Sequence, residues 1–593
     1  MNIIFNSINL NFIFFYQILQ KFGCKIFYIY ENKKINKEKK DIHNKFGINQ
    51  INLSRIPNIN TVDWKNYWIN QQNYINKISE KNFSNSLKEI LIRKLKIKNY
   101  EALNLFLFEN TFSNSLNKSE VIKIFSKYKG LSIFVSFSLN DYFIEKSNYF
   151  KKIIFPINIF WFILIIKKIL EVVFIVIFKR FRKPKVKISY AKDHQDKSKI
   201  KLLYILHGGV KSVNNFKNII LDFKNDKKNL FKKDEVLIFE YTNYKEKILN
   251  FNIVYYSELV LNKKILFDSL KILAALFVRI RSIKDFFLIL KINNSIIGFL
   301  KFNNFLNSYP NIKVAFIDYD FLCPKFLIFS LNLKNINTFS YQERPLTVFY
   351  NNISFIYDYY FTISSFFSNK IKIKNNFLLN KTIDCGFYDL ENYYSTNIKL
   401  TNNNNILFLN FKSASDQFSR LNDLAISDRS HKKFLYDFIR IVQKFPSIQF
   451  SISSKDMFYF EDKTFQVFFN KINKFKNAKI ISLNETLTTF DLIQKNDLII
   501  GKPSSIMEKC LYIKKPILIH DYTNNISNQM SKVMEIYDGF FYCNSFDDLY
   551  NKICIFINKK NFFNEKLSKE NKKLFNRFYR TSDIIHENIF KLL

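Results

Sequence analysis

The sequence predicts an α/β protein whose C-terminal part forms two doubly wound domains, preceded by a helix-rich α/β region and an apolar, membrane-associating segment. Short apolar runs alternate with helical patterns after residue 200, which is typical of parallel sheets covered by helices on both faces. The 48% hydrophobic and 24% charged content of the 593 residues excludes wholesale disorder. The predicted strands are Lys201–Leu206, Glu235–Glu240, Val314–Asp318, Asn337–Tyr341, Tyr359–Ile363, Ile406–Asn410, Gln449–Ile452, Lys479–Ser482, Asp497–Ile500 and Pro516–His520.

A polar, basic run from Lys179 to Lys201 looks like a linker and divides the chain. The N-terminus is expected to open with a strand, a helix and a second strand, and it lacks the basic start and cleavage site of a secretory signal. We therefore predict four units, namely an N-terminal α/β region (1–150), an apolar helix with a basic linker (151–187), a first doubly wound domain (200–380) and a second one (385–593).

The segment Ile153–Phe178 contains two apolar runs that Lys167 and Lys168 separate, and the second run carries Glu171. Charges at the centre of a bilayer span are costly, so we expect a helix that lies in the membrane interface. The basic residues that follow would contact anionic headgroups. A buried core helix and a true span remain alternatives. The later stretch Lys263–Phe302 predicts one or two amphipathic helices whose apolar faces pack on the core.

The formal net charge of +41 suggests a polyanionic partner when taken alone. However, Lys, Asn, Ile, Phe and Tyr are all abundant, and all have A/T-rich codons, so codon bias accounts for most of the charge. No nucleic-acid-binding signature is present, and a nucleic-acid partner is not expected. The six cysteines form no CxxC pair and no HExxH motif occurs, so neither a metal site nor a cofactor site is expected.

Glycine is scarce, with 9 residues in the chain, so each one retained suggests a backbone requirement. Gly208 and Gly209 follow a predicted strand and His207, and this pattern allows a ligand or another backbone to approach closely. A tight turn without a ligand is the alternative.

Gly501 ends the predicted strand Asp497–Ile500, and the next residues predict a helix from Ser505 to Ile513 with Ser504 as its N-cap. The amino end of that helix would present free N–H groups and a positive dipole to an anion. Glu508, one turn into the helix, would accept hydrogen bonds from a ribose or sugar diol. A capped helix with a solvated Glu508 is the alternative.

The stretch from Asp497 to Asp521 resembles the donor-site motif of GT-B glycosyltransferases, in particular those of bacterial surface-carbohydrate and capsule biosynthesis. It is more distantly similar to CDP-glycerol glycerophosphotransferases. The resemblance covers roughly Ile200 to Lys559 and implies two Rossmann-like domains, a nucleotide-sugar donor and metal-independent transfer. Lys502-Pro503 stands where the family more often has an acidic or aromatic pair.

Two groups of candidate site residues follow from the strand ends and the resemblance. The expected catalytic base is one of three residues that follow strands of the first doubly wound domain: Glu343, Asp318 and His207. Gly208 and Gly209 would form an acceptor-side loop. The expected donor-binding residues are Gly501, Lys502, Ser504, Ser505, Glu508, Lys412 and Lys455. Asp318-Tyr319-Asp320 has the form of a DxD motif, but buried strand-end carboxylates are the commoner meaning of this pattern.

The sequence thus predicts a cytoplasmic glycosyltransferase, peripheral on the inner membrane face, that transfers sugar from a nucleotide donor to a glycan or lipid-linked acceptor in envelope biosynthesis. A polyol-phosphate transferase on the same fold, a non-catalytic envelope assembly protein and a nucleic-acid-binding protein are the alternatives.

Overall fold

The computed structural model describes residues 1–7, 13–30, 47–50, 83–111, 122–123, 125–127, 129–136, 148, 150–154, 197–206, 232–241, 252–318, 320, 323–342, 344, 354–373, 377–390, 404–410, 428–454, 463–482, 489–502, 504–520, 539–575 and 580–593. The strands are β1 Asn2–Ser7, β2 Lys25–Tyr30, β3 Asn49–Gln50, β4 Ser132–Ser136, β5 Phe150–Ile154, β6 Leu202–Leu206, β7 Val236–Glu240, β8 Asn252–Tyr255, β9 Val314–Ile317, β10 Asn337–Tyr341, β11 Phe355–Thr362, β12 Phe377–Asp384, β13 Ile406–Asn410, β14 Phe450–Ser454, β15 Ala478–Ser482, β16 Leu498–Gly501, β17 Ile517–His520 and β18 Tyr542–Cys543. The helices are α1 Ile13–Lys21, α2 Asn85–Leu95, α3 Tyr100–Thr111, α4 Lys263–Phe277, α5 Ile283–Leu306, α6 Lys325–Leu333, α7 Ser365–Lys372, α8 Asp428–Lys444, α9 Lys463–Ile472, α10 Thr489–Lys495, α11 Ser505–Tyr512, α12 Phe546–Asn558, α13 Lys560–Leu574 and α14 Thr581–Phe590.

Three parallel sheets organise the described residues. Their strand orders are β3-β2-β1-β4-β5, β12-β11-β10-β9-β6-β7-β8 and β15-β14-β13-β16-β17-β18. In the third sheet the chain builds outward from a central strand to one edge, then crosses back and builds to the other edge. This is the doubly wound Rossmann order, and the second sheet has the same order with one more strand. The prediction of an α/β fold with two such parallel domains is confirmed by this topology.

Buried apolar strands explain why the sequence located most of these elements. All residues of β6, β7, β13 and β16 are buried, as strands covered on both faces must be. The sequence Ile383-Asp384-Cys385-Gly386 suggests a short loop before the second doubly wound domain, but its first two residues belong to β12, where they pair with Phe361 and Thr362 of β11. The loop between the two domains therefore begins at Cys385.

The N-terminal region contributes its own sheet and also part of the second sheet's domain. Helices α2 and α3 pack in one core cluster with α4, α5 and α6. The buried Asp285 accepts hydrogen bonds from the backbone N–H groups of Ser84, Arg281 and Ser282, each at 3.1 Å. Ser295 Oγ donates to Asn110 Oδ1 at 2.7 Å. These bonds fix α2 and α3 on the second sheet's helices.

The predicted membrane-associating segment falls mostly outside the described residues. Ile153 and Ile154 are the last residues of β5, where they pair with Val135 and Ser136 of β4. Residues 155–196, which include most of the apolar segment and the basic cluster, lie outside the described ranges. Among the helices that the structure does describe, none combines the length and apolarity that crossing a bilayer requires.

The C-terminal helix α14 crosses back to the second sheet. Ile585 and Ile589 are buried in one cluster with Tyr204 and Phe316 of that sheet. Thr581 Oγ1 donates to the carbonyl of Cys385 at 2.6 Å. The end of the chain therefore packs on the second sheet, and α12 packs on the third. Helix α13 contacts both domains, since Ser364, which precedes α7, donates a hydrogen bond to the carbonyl of Leu574.

Candidate functional site

The residues around Gly501 lie at the topological switch point of the third sheet. The chain runs from β13 toward one edge of the sheet and from the neighbouring β16 toward the other. Leu409 of β13 pairs with Gly501 of β16 in parallel register. In doubly wound sheets, ligands bind in the crevice that opens at the carboxyl ends of these two strands. The predicted donor-binding turn therefore occupies the position where this fold places its ligands.

Gly501 permits a close approach of helix α11 to the sheet. A Cβ atom at this position would lie 2.8 Å from Met507 Sδ and 3.2 Å from the carbonyl oxygen of Leu409. Both distances are shorter than ordinary contacts, so a larger residue would displace Met507 or the strand. The sequence predicts that Gly501 meets a backbone requirement. That requirement is the close packing of α11 on β13 and β16.

Ser504 occupies the N-cap position of α11, as predicted. Its backbone is extended, and its carbonyl accepts hydrogen bonds from the N–H groups of Met507 at 2.9 Å and Glu508 at 3.3 Å. Its hydroxyl makes no capping bond to the helix. Ser504 and Ser505 are both half-buried. The amino end of α11 thus combines the helix dipole with two hydroxyls at the sheet's carboxyl edge, an arrangement suited to an anion.

Lys502 is buried at the end of β16, close to a second charged cluster that sequence reasoning missed. His520 ends β17, and its Nε2 lies 3.0 Å from Asp437 Oδ2 of α8. Lys433 Nζ donates to the other carboxylate oxygen of Asp437 at 2.8 Å. Burial is the main cause that lowers the pKa of His520, and the positive charge of Lys502 lowers it further, whereas Asp437 acts in the opposite direction.

Glu508 and Lys509 face different surroundings on α11. The side chain of Glu508 is fully buried, and a ribose could therefore reach its carboxylate only if neighbouring side chains moved. Hydrogen bonds from a ribose to Glu508 stay a prediction. Lys509 Nζ forms an ion pair with Asp389, which follows β12 of the second sheet. Phe387 and Tyr512 pack edge to face with ring centroids 5.0 Å apart. Helix α11 is therefore attached directly to the segment that joins the two domains.

Asp318 follows β9 at the equivalent switch point of the second sheet, between β6 and β9. Tyr204 OH donates to Asp318 Oδ1 at 3.1 Å, and Tyr360 OH donates to Asp320 Oδ2 at 2.6 Å. Burial raises the pKa of Tyr204 well above its usual value, which keeps this hydroxyl a donor. Both carboxylates of the DxD-like sequence are buried and bonded to tyrosines, in agreement with their reading as strand-end carboxylates.

The structure brings Gly501, Lys502, Ser504, Ser505 and Glu508 together and places Asp318 at the switch point of the other domain. The remaining candidates, His207, Gly208, Gly209, Glu343, Lys412 and Lys455, lie outside the described residues, and their roles stay predictions. Within the described ranges no group of His, Cys, Asp and Glu has the geometry of a metal site.

The sequence matches no protein-family model and no curated protein sequence. Among solved structures, the fold is similar to UDP-GlcNAc 2-epimerase from Neisseria meningitidis bound to UDP-GlcNAc, with 11% identity, a TM-score of 0.43 and coverage of 66% of this chain and 100% of that one. It is similar to Anabaena Alr3699/HepE in complex with UDP and glucose, at 12% identity and a TM-score of 0.37 over 66% of this chain and 98% of that one. A glycosyltransferase from Rickettsia africae has 10% identity and a TM-score of 0.36 over 66% and 98% of the two chains. Similarity at this level carries no conclusion about activity, and the assignment of two Rossmann-like domains rests on the strand order of their sheets.

Proposed function

We propose that this protein is a glycosyltransferase of the GT-B type, which transfers sugar from a nucleotide donor to a surface polysaccharide or lipid-linked glycan acceptor. The observation that carries the proposal is the amino end of α11 at the switch point of the third sheet. Ser504 and Ser505 lie there, beside the buried Lys502. A helix dipole, hydroxyls and a lysine together suit the diphosphate of a nucleotide sugar.

In the proposed reaction the acceptor hydroxyl oxygen bonds to the anomeric carbon of the donor sugar. The bond between that carbon and the phosphate oxygen breaks, and its electron pair leaves with the nucleoside diphosphate. The positive end of α11 and Lys502 stabilise the charge that develops on the leaving group. A base removes the proton of the acceptor hydroxyl, and the candidates are Asp318, Glu343 and His207.

The other donor contacts belong to the same proposal. Lys412 comes two residues after the end of β13 and Lys455 directly follows β14, and both strands end at the carboxyl edge of the third sheet. We assign them to the donor phosphates. Glu508 would bind the ribose or sugar hydroxyls once the side chains around it move apart. We place the reaction at the cytoplasmic face of the membrane, where envelope precursors are assembled.

Calorimetric titration with UDP, GDP, dTDP and CDP tests the donor site. We expect one of these nucleotides to bind the wild-type protein, and the variant Ser504→Ala/Ser505→Ala to bind it at least about tenfold more weakly, a loss of about 1.4 kcal/mol. The control is Ser308→Ala, which removes an exposed hydroxyl of the second sheet's domain. Equal affinity of the double variant and the wild type would remove the donor-site assignment.

The nucleotide released on turnover separates the two transferase classes. The protein is incubated with UDP-, GDP-, dTDP- and CMP-linked sugars and with CDP-glycerol, together with membrane lipid extract as acceptor. Release of a nucleoside diphosphate from a diphosphate sugar supports sugar transfer, whereas release of CMP from CDP-glycerol supports polyol-phosphate transfer. A protein that binds none of these donors would be the non-catalytic alternative.

A further inference from the structure

Helix α4 carries an apolar stripe on the face that points away from the core. Its inner face, with Ile265, Ile272 and Leu276, is buried against the helices of the second sheet's domain. On the outer face, Phe267 is 58% exposed and Leu270 is 45% exposed. Phe277 and the next residue, Val278, continue the stripe, and Val278 is 82% exposed. Leu270 lies three residues after Phe267, and Phe277 and Val278 lie seven and eight residues after Leu270. At these spacings the four side chains share one face of the helix.

This outer face differs from the amphipathic pattern that the sequence suggested. A helix of this kind normally turns polar side chains to water, but α4 is apolar on both its inner face and much of its outer face. Contiguous exposed apolar surface of this kind marks an interaction site. We call the exposed residues Phe267, Leu270, Phe277 and Val278 the outer stripe.

Exposed basic residues accompany the outer stripe on α4, in the turn after it and at the start of α5. They are Lys263, Lys264, Lys271, Arg279, Arg281 and Lys284. Lys271 Nζ lies 4.3 Å from the centre of the Phe267 ring, so charge and apolar surface are in direct contact. The acidic residue of α4 is Asp268, which is half-buried at the edge of the face. The surface therefore combines an apolar strip with a positive border.

An apolar strip with a positive border fits some classes of partner better than others. A second copy docking through the same face would bring two sets of cations together, because a twofold contact is self-complementary, and such like-charge contacts are costly. A nucleic acid would use the cations but leave the exposed aromatic and aliphatic side chains in water. An anionic bilayer accommodates both, since its acyl region takes the apolar side chains and its headgroups take the lysines and arginines.

We propose that the outer stripe of α4 and its basic border dock on an anionic lipid bilayer, with the helix lying in the interface. The residues of this surface differ from those of the apolar segment Ile153–Phe178, and the docking does not depend on the proposed glycosyltransferase activity. It would hold the second sheet's domain against the membrane.

Vesicle flotation of the full chain tests the chemistry of the surface. Vesicles of phosphatidylcholine alone are compared with vesicles that contain about one-third phosphatidylglycerol. We expect the apolar variant Phe267→Gln/Leu270→Gln/Val278→Gln and the charge variant Lys264→Gln/Lys271→Gln/Arg279→Gln each to bind anionic vesicles at least about tenfold more weakly than the wild type. Because every substituted side chain is exposed, circular dichroism and thermal unfolding should match the wild type.

Matched controls remove side chains of the same kind elsewhere. Val467 on α9 is 76% exposed, and Val467→Gln should leave vesicle binding unchanged. The exposed lysines Lys559, Lys569 and Lys572 lie at and on α13, and their triple glutamine variant removes as much charge as the charge variant does. If this control loses as much binding as the charge variant, the interaction depends on net charge rather than on α4, and the proposal is overturned.

A probe at one position reports whether α4 itself enters the bilayer. An environment-sensitive fluorophore is attached to Leu270→Cys in a Cys554→Ser background, since the other described cysteines are buried. We expect a blue shift and quenching by spin-labelled lipid with anionic vesicles, and neither change for the same probe at Val467→Cys. Vesicle binding without a shift at position 270 would assign docking to another surface and overturn the proposal. A concentration-dependent shift without vesicles would show that a second copy covers the stripe, and would also overturn it.

Discussion

His520 Nε2 lies 3.0 Å from Asp437 Oδ2, and both side chains are fully buried beside the turn that we assign to the donor phosphates. The ring of Phe434 covers the imidazole edge to face, with centroids 4.9 Å apart. Lys433, Lys502 and Arg440 supply the positive charges near this pair. The pair links α8 to the end of β17 and so supports the carboxyl edge of the third sheet.

We expect this histidine to make the protein less stable in mild acid. Burial lowers the pKa of His520 below its ordinary value of 6.5. Below about pH 6.5 His520 is protonated in the unfolded chain but not in the folded protein. The free energy of unfolding is therefore unaffected by the titration of this histidine above about pH 6.5 and decreases as the pH falls toward the lowered pKa. One proton gives a slope of at most about 1.4 kcal/mol per pH unit.

Urea unfolding at several pH values between about 5 and 7.5 measures this effect. The variant His520→Gln should be less stable than the wild type at neutral pH by about 1–3 kcal/mol, because Asp437 loses a buried partner. Its stability should also change less across the acidic range. An unchanged slope in the variant would show that other groups cause the acid sensitivity.

Replacing Gly501 with alanine should disturb the start of α11. The added Cβ would lie 2.8 Å from Met507 Sδ and 3.2 Å from the carbonyl of Leu409. Overpacking of this kind costs about 1–3 kcal/mol. We expect Gly501→Ala to lower the free energy of unfolding by that amount and to weaken nucleotide binding through displacement of Ser504 and Ser505.

The double variant Gly501→Ala/Met507→Ala tests the cause. Removing the Met507 side chain frees the space that the new Cβ needs. The double variant should therefore lose less stability than the sum of the two single losses, by at least about 0.5 kcal/mol. Additive losses would mean that the Leu409 carbonyl, rather than Met507, makes the position intolerant.

The residues of the candidate site could be predicted where they are contiguous in the sequence. Gly501 ends one buried strand and Lys502, Ser504 and Ser505 follow it, so the strand-turn-helix pattern placed all four without any long-range contact. His520 and Asp437 are 83 residues apart. Their contact arises only when α8 packs beside β17, so no local pattern contains it. The terminal position of His520 on a predicted strand was the one available signal.

The same distinction explains which strands could be predicted. The interior strands β10 and β13 have predicted limits that match the observed ones. Strand β13 is an apolar run up to Asn410, whereas β10 alternates polar residues with Phe339 and Tyr341. Strand β12 lies at the edge of its sheet, is half-exposed and carries Asn380 and Lys381, so its pattern does not stand out. The two-residue strand β18 is too short to produce any pattern. An edge position alone does not hide a strand, since β15 lies at the edge of the third sheet and its predicted range Lys479–Ser482 matches the observed one to within one residue.

The ion pair between Lys509 and Asp389 should couple the third sheet's domain to the segment after β12. Both side chains are largely buried, so removing one partner leaves the other poorly solvated. We expect Lys509→Met and Asp389→Asn each to destabilise the protein by about 1–3 kcal/mol. A double-mutant cycle should give a coupling energy of at least about 0.5 kcal/mol. Strictly additive losses would show that each residue acts through other contacts.

The hydrogen bond from Tyr204 to Asp318 makes a further prediction about the second sheet. Tyr204→Phe keeps the ring stacked on Phe316, whose centroid lies 5.3 Å away, and removes only the hydroxyl that donates to the carboxylate at 3.1 Å. Because Asp318 is buried, loss of this donor should destabilise the protein by about 1–3 kcal/mol in urea unfolding. Tyr359→Phe, on a half-buried ring stacked on Phe339, is the matched control and should change stability by less than about 0.5 kcal/mol. If the two variants were equally stable, the hydroxyl of Tyr204 would not stabilise the buried carboxylate of Asp318. That carboxylate would then depend on its other contacts.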